Sequence, residues 1–193
     1  MNTKLKLHPK KYFKRLNQNI EKVDCKKIVE LILQIKKMIG TEKTIFIAGN
    51  GGSAALSSHM ACDLGKTILG SKPRSNKNRL RIISLVDNIS LNTAWANDEG
   101  YKYIFSEQLK NLAKKEDFLI VISASGNSEN IIESIKIAKK RGLKTFGLLG
   151  FNGGKAKKMV DDYIIIKIND YGIIEDSHTI ILHLITDWFK HIK

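Results

Sequence analysis

Short uninterrupted apolar runs alternate along the chain with stretches whose apolar residues return every three or four positions. Residues 9–39 carry the helical period, with Ile20, Val23, Ile28, Val29, Leu31, Ile32, Ile35 and Met38 in phase. Within them Asp24 is suited to cap a second segment, and Gly40 to end it. Residues 44–48 form the first buried strand, broken by the glycine-rich 49–53, and a helix follows to about residue 63. Residues 70–76 read as a surface loop, and 81–86 as a second strand. A helical pattern over 88–113, interrupted near Gly100, leads to a third strand at 117–122. Helix is expected from Ser128 to about Arg141 with Gly142 as its stop. Strands at 145–149 and 163–166 and a final helix at 174–191 complete the pattern.

Strands that are apolar throughout are buried on both faces, which is the signature of a parallel sheet between helical layers. The expected fold is therefore α/β, a three-layer α/β/α sandwich around a five-stranded parallel sheet. It is read as one domain over 1–193, with a helical region at 1–40 and an α/β core at 41–193. Ligands of such sheets bind beyond the carboxyl ends of the strands. Two strand-to-helix junctions there are rich in small polar residues, 49–53 and 123–128.

Composition narrows the class. With 42% hydrophobic and 27% charged residues, 193 residues suffice for a substantial core. No apolar run reaches the ~20 residues of a membrane span. The basic start lacks an apolar leader segment, and Cys25 and Cys62 have no metal or redox spacing. A reduced, cytoplasmic protein is expected. The net charge of +14 raises nucleic-acid binding as a reading. The lysines are dispersed, however, and no arginine-rich arm, zinc-finger spacing or aromatic RNA-binding pattern accompanies them. Solvated surface lysines account for the charge equally simply, and an anionic small substrate would also suit it.

At 123–128, Ser123, Ser125 and Ser128 supply hydroxyls, Gly126 allows a tight turn, and a helix begins with free N–H groups. Together they describe a phosphate cradle, although a plain capped turn has the same ingredients. No Gly-Lys-Ser/Thr closes the loop, so nucleotide hydrolysis is disfavoured. The 49–53 loop lacks a dinucleotide fingerprint and reads as a place where backbone approaches a small ligand. The helix after it carries His59 and Asp63 four residues apart, on one face. On the last helix, Glu175 and His183 lie eight apart, ~80° around the axis, with His178 between them. Two histidines and two carboxylates suit Zn²⁺ or a similar ion. Each pair alone also fits packed or solvated side chains.

Four segments, taken together, resemble the phosphoheptose isomerases of the SIS (sugar isomerase) class. They are AGNGGSAALSSHMACDLGK at 48–66, WANDEGYKYIFSEQL at 95–109, VISASGNSENII at 121–132 and IIEDSHTIILHLI at 173–185. The resemblance spans about 45–190 and implies an SIS, flavodoxin-like fold in a homotetramer with active sites at subunit interfaces. It implies conversion of sedoheptulose 7-phosphate to D-glycero-D-manno-heptose 7-phosphate, for lipopolysaccharide or capsule heptose. By position, Ser53, Ser123, Ser125 and Ser128 would hold the phosphate. Asn50, Gly51, Lys66, Asn97, Asp98 and Glu175 would join them in binding substrate. His59, Asp63, Glu175 and His183 would hold one Zn²⁺ per subunit, with Asp63 as base and His183 as acid.

The chain departs from the family pattern at five points. Asp63 replaces the usual Glu, Glu175 the usual Gln, Asn88 (beside Asp87) an Asp, and Ala124 a loop hydroxyl; Lys66 stands one residue before the family's Arg. These bear on which ketose phosphate is turned over more than on the reaction class. A second reading is a non-catalytic SIS module that binds a sugar phosphate or a protein partner. The filled positions 59, 63, 175 and 183 and the intact serine loop argue against it.

Overall fold

A computed structural model describes residues 3–71 and 77–191. Residues 72–76 of the expected surface loop lie outside the described residues. The first helical stretch divides in two: α1 (Thr3–Ile20) and α2 (Cys25–Lys36). Asp24 makes the break by accepting a hydrogen bond from Lys26 N–H at 2.9 Å as the N-cap of α2. Gly40 ends the segment with a φ of 71°, open to glycine at no steric cost. Helix α1 starts earlier than its pattern suggests and carries Pro9 inside, so one of its backbone bonds is missing.

The remaining elements follow the expected order. Strand β1 (Thr44–Gly49) leads to α3 (Gly52–Gly65), and β2 (Arg81–Ser84) to α4 (Ile89–Asp98). A short 3₁₀ turn at Tyr101–Tyr103 precedes α5 (Ser106–Leu112). Then come β3 (Phe118–Ser123), α6 (Glu129–Lys140), β4 (Lys144–Gly150), β5 (Asp162–Ile166) and α7 (Tyr171–His191). Strand β2 stops at Ser84, before the expected residue 86, because the chain turns there towards α4. Asn88 caps α4, its side-chain oxygen accepting Leu91 N–H at 3.0 Å.

The five strands are parallel in the order β2-β1-β3-β4-β5. Side chains alternate across the sheet. Ile45, Ile47, Ile120, Ile122, Leu148 and Ile164 pack with α2, α3 and α7; Phe46, Leu119, Val121 and Leu149 pack with α5 and α6. The result is the α/β/α sandwich. Helix α2 buries Ile28, Leu31, Ile32 and Ile35 in the first of these cores, so α2 and the sheet share one interior. At ~1.5–3 kcal/mol per buried large apolar side chain, that stripe docks α2 firmly. Helix α1 is held by polar contacts instead: Tyr12 OH donates to Asp176 Oδ2 at 2.6 Å, and Arg15 pairs with Asp170 at 2.5 Å.

The strand order reverses direction between β1 and β3. Connections leave these two neighbours to opposite faces, which opens a crevice beyond their carboxyl ends. Gly49 of β1 pairs with Ile122 of β3, so the glycine loop and the serine loop are the two lips of that crevice.

Candidate active site at the carboxyl edge of the sheet

The serine loop is shaped by its own backbone. Ser123 Oγ accepts Gly126 N–H at 3.1 Å, and Ser125 Oγ accepts Asn127 N–H at 3.2 Å. Each hydroxyl still has its proton to donate. Ser128 is the N-cap of α6 but makes no side-chain capping bond, which leaves its hydroxyl uncommitted. Gly126 sits at φ 62°, and a β-carbon there would meet Gly153 O at 2.1 Å. Gly154 in turn lies against Ser125 O. The turn after β4 therefore buttresses the serine loop, a role that composition did not mark.

The glycine loop has a similar constraint. A β-carbon at Gly49 would meet Ser53 O at 2.3 Å, so the first turn of α3 folds back on the strand end. Ser53 is buried in that turn. Asn50, expected to bind substrate, commits its amide oxygen and one of its two amide protons to neighbours. Its Nδ2 donates to Asn130 Oδ1 and its Oδ1 accepts from Asn130 Nδ2, both at 2.8 Å. Tyr101 OH donates to the same Asn50 Oδ1 at 2.9 Å. Tyr101 and Asn130 lie within two of the four family-like segments, 95–109 and 121–132, but the sequence assigns neither a role in the site. A polar residue on the buried face of an amphipathic helix was the available signal for Asn130.

Helices α3 and α7 lie side by side. Gly52 faces the Glu175 carboxylate, His59 faces His183, and Asp63 faces Thr186. The three contacts advance together, so the two helices run in the same direction. The rings of His59 and His183 have centroids 5.0 Å apart at 71°. Asp63 Oδ2 lies 3.7 Å from His59 Nε2 and 3.2 Å from Thr186 Oγ1, whose one proton is shared between this carboxylate and Leu182 O at 3.0 Å. One donor atom from each of His59, Asp63 and His183 falls within 4.8 Å of the others. Zinc with bonds of about 2.1 Å in a tetrahedron holds its ligands roughly 3.4 Å apart, so small side-chain adjustments suffice. The set of two imidazoles and one carboxylate matches the three-ligand sites that leave a position open for substrate.

Glu175 does not join this cluster. Its angular position on α7 is right, but eight residues also advance ~12 Å along the axis. Its carboxylate rests against Gly52 at the start of α3, with both oxygens 2.6 Å from where a β-carbon would be. It thus lies nearer the two loops than the histidines do. Lys66 is displaced the other way. It caps the C-terminus of α3, ~20 Å of helix from Gly52 within the same chain. Asn97 and Asp98 are exposed at the end of α4, where Asn97 Nδ2 donates to Asp98 Oδ1 at 2.8 Å. Their segment reaches the loops through Tyr101 instead. Gly51 takes a φ of 55° at the entrance to α3.

His178 is settled as a packed residue. It is fully buried, and Nε2 donates to Leu149 O at 3.0 Å, while Nδ1 has no partner. Burial holds its pKa down to about 4, so the ring is neutral at pH 7. Asp87 reaches α3, accepting hydrogen bonds from Ser58 and Ser84.

No helix among the described residues is long and apolar enough to cross a membrane. The SIS domain family model matches residues 10–150. The chain is 39% identical to the phosphoheptose isomerase of Clostridium acetobutylicum over 170 residues, 88% of this chain and 82% of the relative. It is 38% identical to a probable phosphoheptose isomerase of Thermoplasma acidophilum, over 89% of this chain and 88% of that one. The solved phosphoheptose isomerase of Neisseria gonorrhoeae superposes with a TM-score of 0.86 at 28% identity, covering 97% of this chain and all of that one. The two-loop crevice and the paired-helix cluster are thus set in a chain that belongs to the SIS-domain family and, within it, to the phosphoheptose isomerases.

Proposed function

We propose that this chain is an aldose–ketose isomerase that converts sedoheptulose 7-phosphate to D-glycero-D-manno-heptose 7-phosphate, supplying heptose for lipopolysaccharide or capsule. The observation that carries the mechanism is the gathering of His59, Asp63 and His183 on two parallel helices beside a serine-lined crevice. The described chain acts as one unit, since α2 and the sheet share a core.

Isomerisation moves a proton from C1 to C2 of the sugar, and a second proton between O1 and O2. Asp63 is the base for the carbon-bound proton. Thr186 holds one of its oxygens, which orients a carboxylate one methylene shorter than glutamate. His183 relays the hydroxyl proton. Ser53, Ser123, Ser125 and Ser128, with the free N–H groups at the start of α6, hold the phosphate and so place the reacting carbons. Glu175, between loops and cluster, accepts sugar hydroxyls.

His59, Asp63 and His183 would hold a divalent ion, with Zn²⁺ the best match to the donor set. When bound, such an ion stabilises negative charge developing on the sugar oxygens. His59 and His183 are exposed in the single chain, and Ile180 and Leu184 beside His183 are exposed apolar residues. A homotetramer that covers this face would exclude water from the site and would let Lys66 serve a neighbouring subunit.

Proton NMR of the protein with sedoheptulose 7-phosphate in D₂O is the test, before and after chelation and Zn²⁺ return. The expected result is metal-dependent appearance of the aldoheptose phosphate with deuterium at C2. Absence of both turnover and exchange from the Zn²⁺-loaded protein would refute the assignment and favour a sugar-phosphate-binding module.

A further inference from the structure

The amide of Asn50 is locked in one polarity by a chain of hydrogen bonds whose origin is a backbone group. Ile131 N–H can only donate, and it donates to Asn130 Oδ1 at 2.9 Å. That contact identifies the oxygen of the Asn130 amide. The same oxygen receives Asn50 Nδ2 at 2.8 Å, which identifies the nitrogen of Asn50. Asn50 Oδ1 then accepts both Asn130 Nδ2 at 2.8 Å and Tyr101 OH at 2.9 Å. An amide oxygen has two lone pairs and an amide nitrogen two protons. Asn50 Oδ1 is therefore saturated, and one Asn50 N–H is left over.

The geometry ties together three separate segments: the glycine loop through Asn50, the first turn of α6 through Asn130, and the 3₁₀ turn through Tyr101. Asn130 is 1% exposed, so its amide has no competing water. A cavity of about 370 Å³ opens at this junction, lined by Asn50, Tyr101, Lys102, Ser128, Glu129 and Asn130. Lys102 brings an ammonium and Ser128 an uncommitted hydroxyl; Glu129 is the one carboxylate on the wall.

We propose that Asn130 is a positioning residue that, with Tyr101, makes Asn50 a pure hydrogen-bond donor towards a phosphate oxygen of the ligand. Asn130 also sets the spacing between the two lips of the crevice. This rests on the phosphate-end assignment made above. It adds that recognition at the glycine loop depends on a buried residue outside that loop. An acceptor at this point would repel phosphate, so the polarity itself confers specificity for an anion.

The test is a double-mutant cycle read by calorimetric binding of inorganic phosphate and of sedoheptulose 7-phosphate, with thermal unfolding in parallel. Asn50→Ala and Asn130→Ala are each expected to weaken phosphate binding about tenfold, the scale of one lost hydrogen bond to a charged partner. The double variant is expected to be no weaker than Asn50→Ala, because Asn130 acts through Asn50. Additive losses of about a hundredfold, or unchanged binding in folded Asn130→Ala, would overturn the proposal. Should Asn130→Ala fail to fold, Tyr101→Phe reads the same chain from its exposed end. It is expected to weaken binding several-fold in wild type and not at all on the Asn50→Ala background; equal losses on both backgrounds would overturn the proposal. Failure of wild type to bind phosphate would also overturn it. Wild type that binds phosphate with this pattern but does not turn over sedoheptulose 7-phosphate would sink the substrate assignment and leave the polarity argument standing.

Discussion

His178 makes folding stability dependent on pH, because the fold holds its buried ring neutral. The ring is buried, neutral, and held at about 4 from an ordinary 6.5. The unfolded chain therefore binds a proton that the folded chain refuses, and stability falls as pH drops through that interval. Over the whole interval the loss amounts to about 3 kcal/mol. Half of the loss or more, about 2 kcal/mol, is expected by pH 5. Carboxylates such as Asp161 and Asp170, whose pKa values are lowered by their partners, lose their contribution only at lower pH. The comparison variant is His178→Gln, whose amide nitrogen can still reach Leu149 O but does not titrate. Urea unfolding of both proteins at pH 7.5, 6, 5 and 4.5 gives two stability curves. Their separation should shrink or invert towards low pH by about 2 kcal/mol between pH 7.5 and 5. Parallel curves would show that His178 is not held neutral by the fold, and would refute the burial argument.

Three further outcomes follow from the site. Asp63→Asn should reduce isomerisation by about 10²–10⁴-fold in a steady-state assay, with an unchanged circular dichroism spectrum, because it removes a positioned base. Thr186→Val should cost much less, about tenfold in kcat with little change in KM, because it releases the Asp63 carboxylate without deleting it. Gly126→Ala should destabilise the chain by at least about 2 kcal/mol in urea unfolding, since the β-carbon meets a backbone oxygen and φ is positive.

Much of this protein was legible as sequence. Continuous apolar runs set the strands, because a parallel sheet covered on both faces tolerates no polar alternation. Asp24, Gly40 and Gly142 marked segment ends through local backbone preferences alone. The serine loop and the His59–Asp63 pair stood out because their chemistry is compact in sequence. Tertiary structure decided whatever depends on distance between segments. Helical phase placed Glu175 correctly around α7 but carried no information on axial rise against α3, so it missed that the carboxylate settles at Gly52. Asn97 and Asp98 sit in a segment whose contact with the site is made by Tyr101. Asn130 and Thr186 acquire their roles only when α6 and α7 dock, because a hydrogen bond between remote residues leaves no periodic trace in the chain. Local rules act within a few residues and are written into the sequence directly; the site is assembled by packing between elements 80 to 123 residues apart, which only the folded sheet can bring together.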